Sequence, residues 1–185
     1  MTSFVFKKAA GLLSYGGVIG YPTEAVFGLG CDPLNESAVS RLLAIKNRPV
    51  HKGLIIIASH FNQLNEFIQP QSPEVIAKIN KSWPGPHTWV LPASDNTPDW
   101  LTGDHEGIAV RVTAHPIAAL LCEEFGGPLV STSANKMGRT ACRTTTQMRL
   151  RFWNELDLIV PGEIQNSGRP TEIKNALNDE VFRSG

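Results

Sequence analysis

The chain has 185 residues, 42% of them apolar and 18% charged, which fits one globular domain with a full core and argues against a disordered or fibrous chain. Seventeen basic side chains balance seventeen acidic ones, so no global field draws the protein to nucleic acid, and only a local basic patch could. Cys31, Cys122 and Cys142 lie far apart with no Cys-x-x-Cys pair, which argues against a disulfide framework or structural zinc and implies reduced thiols.

In chain order, Phe4–Tyr15 reads as a short amphipathic helix closed by Gly16–Gly17. This N-terminus has neither a long apolar core nor a small-residue cleavage site. No run of about 18 apolar residues occurs anywhere, so no membrane role and a cytoplasmic location are expected. Val18–Tyr21 is a short strand followed by Pro22–Thr23–Glu24. Asn35 is placed to cap a helix over Glu36–Lys46, with Val39, Leu42, Leu43 and Ile45 on its buried face. Pro49 stops that helix and biases Asn47–Arg48 away from helical geometry. The continuous apolar run Leu54–Ala58 predicts a strand covered on both sides.

Phe61–Ile68 and Pro73–Lys81 read as two more helices, the second capped by Ser72 with proline at its first position. Trp83–Pro84–Gly85–Pro86 is a rigid turn into a strand over Thr88–Pro92, and Ile108–Val112 is another strand. Pro116–Phe125 is a helix opened by proline and closed by Gly126–Gly127. Leu129–Ser131 is a strand, Thr146–Phe152 a short helix, Leu158–Val160 a last core strand, and Val181–Arg183 an edge-strand candidate. Strands and helices mix without strict alternation. The expected fold class is therefore α/β: a single domain, 1–185, with a twisted mixed parallel and antiparallel sheet flanked by helices.

Several common signatures are absent. There is no P-loop and no Gly-x-Ser-x-Gly elbow, and Gly28–Leu29–Gly30 continues as Cys31–Asp32–Pro33 rather than as a dinucleotide loop. The five histidines show no metal-ligand spacing, so no protein-bound metal site is expected. What remains is a set of polar residues just past or within apolar strands: Thr23; Lys46, Arg48 and Lys52; Arg111; Ser131, Ser133 and Asn135; Arg139 and Arg143. Guanidinium and ammonium groups suit phosphate or carboxylate, and hydroxyls with asparagine suit sugar and phosphate oxygens. Bland readings stand beside these. Lys46 and Arg48 complement a helix C-terminus, Ser133 and Asn135 cap a turn, and Arg111 forms a buried ion pair. Taken together the set points to one site for an anionic ligand.

Five segments in order carry a resemblance: Gly20–Tyr21–Pro22–Thr23–Glu24; Lys46–Asn47–Arg48–Pro49; Trp83–Pro84–Gly85–Pro86 with Thr88; Ala109–Val110–Arg111–Val112 with His115–Pro116; and Ser131–Thr132–Ser133–Ala134–Asn135. In these the chain resembles the YrdC-like family, from about Val18 to Asn135 and more loosely to Phe182. The resemblance implies a YrdC-like fold and a nucleotidyltransferase. That enzyme would join L-threonine, bicarbonate and ATP, with Mg²⁺ on the phosphates, into threonylcarbamoyl-AMP and pyrophosphate. Downstream tRNA threonylcarbamoyl-transfer proteins would then carry the group to adenosine in tRNA. It also implies roles. Lys46 and Arg48 would be catalytic. Arg48, Lys52, Ser131, Ser133, Asn135 and Arg143 would hold ATP, and Thr23 and Arg111 would hold threonine. Thr88 would support the pocket, beside the reading of it as a core-strand hydroxyl bonded to backbone. The chain departs from longer members of the family at Ala25 and Ile57, where many of those have Thr and His. It ends where those members continue into a second domain. The alternative reading is an RNA-binding ribosome-maturation module, in which the same cations meet tRNA or double-stranded RNA phosphates.

Overall fold

The computed structural model describes residues 3–165 and 171–184. Its strands are β1 (Ile19–Pro22), β2 (Phe27–Gly30), β3 (Ile55–Ala58), β4 (His87–Pro92), β5 (Gly107–Val112), β6 (Leu129–Ser133), β7 (Leu158–Ile159), β8 (Glu172–Asn175) and β9 (Val181–Arg183). They form one sheet in the order β7-β1-β2-β6-β3-β5-β4-β8-β9. The pairs β1/β7, β3/β5 and β4/β8 are parallel and the remaining neighbours antiparallel, so the mixed α/β sheet is as expected.

The helices are α1 (Ser3–Ser14), α2 (Glu36–Lys46), α3 (Pro73–Asn80), α4 (Asp99–Thr102), α5 (Pro116–Phe125) and α6 (Thr145–Phe152). Their ends obey the local chemistry. Asn35 accepts from the Ala38 amide at the start of α2, Ser72 from the Val75 amide at α3, and Thr144 from the Gln147 amide at α6. Gly126 closes α5 in the left-handed conformation, φ 83°. None of the described helices is long and apolar enough to cross a membrane, and all three cysteines are buried free thiols.

Two expectations are corrected. Phe61–Ile68 is one 3-10 turn, Phe61–Leu64, and not a full helix. Its apolar spacing suits a helix, but Ile68 pairs with Ala93 in an isolated β-bridge and Pro70 follows. Those backbone groups therefore leave the helical ladder. Strands β2 and β8 also lie outside the predicted set.

The sheet has two apolar faces with different cover. Strand alternation sends Phe27, Leu29, Ile56, Ile108, Val110 and Val130 to one face, where they pack with Val39 and Leu42 of α2, Ile79 of α3 and Phe152 of α6. Ile19, Tyr21, Ile57 and Leu129 point to the other, against Phe6 and Leu13 of α1 and Leu121 of α5. Helices α1 and α5 pack on each other and cover only part of this second face. Beyond them the same alternation presents Ile55, Ala109, Arg111, Ser131 and Ser133 to an open hollow.

Candidate active site

The hollow is a cavity of about 850 Å³, at the upper end of the size range for small-molecule sites. Its floor is the uncovered sheet face: Gly28, Ile55, Val90, Ala109, Arg111, Ser131 and Ile173. Its rim comes from segments 23–26, 48–54, 101–105 and 133–143. Thr23, Arg48, Lys52, Arg111, Ser131, Ser133, Asn135 and Arg143 all line it, so eight of the nine expected site residues meet in one place. Its charged lining is Arg48, Lys52, Arg111, Arg143 and Arg183, and no carboxylate lines it among the described residues.

The rim carrying Arg48 is built by a defined stop. Asn47 takes the left-handed conformation, φ 51°, and the Arg48 amide returns to the Leu43 carbonyl at 3.0 Å. Pro49 then leaves in extended geometry and Val50–Lys52 form one 3-10 turn. Gly53 follows at φ 59°, where a Cβ would lie 2.7 Å from the Thr102 carbonyl oxygen, so only glycine lets this rim approach α4. The Leu54 amide donates to the Leu101 carbonyl at 2.8 Å, which locks the two rims together. Arg48 itself donates to the Gly53 carbonyl at 2.9 Å and pairs with no carboxylate among the described residues. Burial lowers its pKa from the ordinary arginine range.

Lys46 is the ninth residue, and it lies beneath the cavity rather than on its wall. Its Nζ donates to the backbone carbonyls of Ser133 and, at 2.9 Å, Asn135. Burial first and Arg48 second push its pKa down to about 8. Two of the three ammonium donors thus hold the Ser133–Asn135 turn. Lys46 thus stands apart from the wall that the other eight residues share. The turn it holds is also stapled from above: Ser133 Oγ donates to Asn135 Oδ1 at 2.6 Å, and Asn135 Nδ2 donates to the Arg139 carbonyl at 2.9 Å. For Ser133 and Asn135 the capping and cavity readings therefore both hold.

Arg111 is buried and also on the cavity floor. Its Nη2 lies 3.7 Å from Glu24 Oε2, and its Nη1 donates to Thr171 Oγ1 at 3.1 Å. Glu24 in turn accepts from Thr113 Oγ1 at 2.6 Å and the Ala114 amide at 3.2 Å. Burial alone would raise the Glu24 carboxyl, but Arg111 and the Thr113 hydroxyl outweigh it and hold the group below its ordinary value. The ion-pair reading and the cleft reading of Arg111 are again both satisfied. Thr23 Oγ1 donates to the Val26 carbonyl at 2.7 Å, which shapes the adjacent rim.

Four further residues complete the placement. Thr88 is buried and does not line the cavity. Ala25 does line it, whereas Ile57 packs in the core beneath α5. Arg139 does not line it, although its carbonyl anchors Asn135. The structure also adds Arg183, a fourth cavity guanidinium, whose pKa is lowered by burial, then by Arg111 and Arg48. An arginine two residues from the chain end carries no local signal. Only the β8/β9 pairing brings it to the cavity.

Fold and site together define a mixed-sheet α/β domain with an electropositive cavity on its half-covered face. Residues 11–185 match the Sua5/YciO/YrdC family model, described as "Telomere recombination", and the chain belongs to that family. It is 49% identical over 177 residues to a Coxiella burnetii (strain RSA 493 / Nine Mile phase I) protein named threonylcarbamoyl-AMP synthase, covering 96% of this chain and 95% of the relative. A Halorhodospira halophila protein of the same name is 49% identical over 180 residues, 97% of this chain and 94% of the relative. Among solved structures, P. abyssi Sua5 complexed with L-threonine aligns at TM-score 0.89 and 32% identity, over 95% of this chain and 52% of that one. The chain thus spans about half of that Sua5 chain. E. coli YciO aligns at TM-score 0.86 and 25% identity, over 100% of this chain and 90% of that one.

Proposed function

We propose that the protein is an L-threonylcarbamoyladenylate synthase, a nucleotidyltransferase supplying the N6-threonylcarbamoyladenosine modification of tRNA. Relatives bearing that enzyme's name match nearly end to end. The observation that carries the reading is a cavity that gathers five cationic side chains and no carboxylate among its described lining.

The chemistry asks for such a cavity. The threonine amine adds to bicarbonate with loss of water to give a carbamate. A carbamate oxygen then attacks the α-phosphorus of ATP, and the bond to the β-phosphate oxygen breaks, releasing pyrophosphate. Both partners in the second step are anions, so their repulsion is the main barrier and fixed positive charge with alignment is the main aid. Arg111 receives the threonine carboxylate beside Thr23. Arg48, Lys52 and Arg143 receive the triphosphate, joined by Arg183. Ser131, Ser133 and Asn135 bond the nucleotide oxygens. Lys46 acts through the turn that it holds. Mg²⁺ enters with ATP as part of the substrate, liganded by phosphate oxygens and water.

The product, an activated carbamoyl phosphate anhydride, passes to tRNA threonylcarbamoyl-transfer proteins in the cytoplasm. The test is product identification. With ATP, Mg²⁺, L-threonine and ¹³C-bicarbonate, mass spectrometry should find threonylcarbamoyl-AMP carrying one ¹³C, and chelating Mg²⁺ should stop its formation. Unlabelled or absent product contradicts the reading. RNA binding without turnover, collapsing as salt rises, would instead favour the RNA-module alternative.

A further inference from the structure

We infer that Thr171, at the entry to β8, is a positioning residue whose side-chain oxygen ties the two anion subsites of the cavity together. The inference deepens the proposed reaction and rests on it.

Thr171 is buried, and its Oγ1 accepts from two guanidiniums: Arg111 Nη1 at 3.1 Å and Arg183 Nη2 at 2.9 Å. A hydroxyl oxygen has two acceptor sites, and both are taken. The two donors come from different places. Arg111 sits on buried β5 near the centre of the sheet, whereas Arg183 sits on β9, the exposed edge strand. Packing fixes the first and barely touches the second, since Val181 and Phe182 are 47% and 53% exposed. Thr171 also receives Arg183 through its own carbonyl, from Nε at 2.9 Å and Nη2 at 2.7 Å. Among the described residues it is the sole hydrogen-bond partner of the Arg183 side chain.

Two like charges separate unless an acceptor holds them. Thr171 is that acceptor, and it sets the offset between the guanidinium assigned to threonine and that of Arg183, which also feels the charge of Arg48. An anion that reorients either guanidinium shifts the acceptor shared with the other. The two substrates therefore bind with a coupling free energy, and the coupling is reciprocal.

Thr171→Val keeps the shape and the carbonyl but deletes the shared oxygen; Thr171→Ser keeps the oxygen. ATP is titrated by calorimetry into each protein, with and without saturating L-threonine, and pyrophosphate release gives both KM values. In the unchanged protein threonine should tighten ATP by at least about fivefold. Thr171→Val should lose that tightening and raise both KM values roughly tenfold, because Arg111 keeps a buried unpaired donor. Its kcat should stay close to that of the unchanged protein, and its circular dichroism should show the same fold. Thr171→Ser should restore both effects. Arg183→Met should already lack the tightening, and adding Thr171→Val to it should change ATP affinity little further. A Thr171→Val protein with unchanged coupling and KM values overturns the inference, as does a Thr171→Ser protein impaired equally. Absence of threonine-dependent pyrophosphate from the unchanged protein would instead overturn the proposed reaction. The calorimetric comparison reads Thr171 without turnover.

Discussion

One face of the sheet is two different surfaces. Where α1 and α5 lie on it, the strands contribute Tyr21, Ile57 and Leu129, all fully buried. Two residues along the same strands, past the helices, they contribute Ile55, Ser131 and, on the neighbouring strand, Arg111. Backbone, register and face are shared; only the cover differs. The covered half is held by the hydrophobic effect and has no room for a ligand. The uncovered half keeps the rigidity of the same strands while leaving their inward side chains free to meet one. The rim then adds its charge from loops that each have their own lock: the left-handed stop at Asn47, Gly53 against α4, and the Lys46 strut under Ser133–Asn135.

Substitutions on the two halves should therefore separate activity from stability. The largest loss of activity is expected for Arg48→Ala, which should lower kcat/KM for threonine-dependent pyrophosphate release by roughly a hundredfold to a thousandfold. Its circular dichroism and melting temperature should stay unchanged. Arg111→Lys keeps the charge but loses the fork. It should raise KM for L-threonine by roughly tenfold or more, with a smaller effect on ATP.

Lys46→Met should weaken ATP through the turn above it, and its pH dependence identifies the cause. Lys46 titrates near 8 when folded, against 10.5 in an ordinary lysine. Between those values the unfolded chain binds more protons, so this group makes stability rise with pH there. Over the same rise the ammonium loses the charge that strengthens its two bonds. ATP affinity should fall as pH passes about 8 in the unchanged protein, and this limb should be missing in Lys46→Met. The smallest effect on turnover belongs to the covered half. Leu129→Ala should cost about 2–5 kcal/mol of stability by leaving a cavity. Its activity per folded molecule should be unchanged. Ser131→Ala, two residues on, should do the reverse, and a chemical denaturation series on the two variants compares them directly.

The sequence reading succeeded where local chemistry is decisive. Asn35, the apolar spacing of Val39, Leu42 and Leu43, and Pro49 together specify α2 and its stop, and proline and glycine bracket α5. It failed where tertiary contacts decide. β2 is Phe27–Gly28–Leu29–Gly30, whose glycines weaken the strand pattern; yet a side chain at position 30 would collide with the Val130 carbonyl of the adjoining strand. β8 is Glu172–Ile173–Lys174–Asn175, polar enough to pass for a turn, and it is a strand because β4 and β9 flank it. The site followed the same division. Arg48, Arg111 and Ser133 stand beside recognisable strands and turns. Arg183 and Thr171 depend on a strand that the local pattern does not announce, and the two carbonyl partners of Lys46 come from a turn far along the chain.

The central claim is that the uncovered half-face lets two anions meet. Its most direct test is pyrophosphate release from ATP and Mg²⁺, with L-threonine and bicarbonate each added or omitted. The account predicts release only when both are present. Equal release without threonine, or none under any condition, would contradict it.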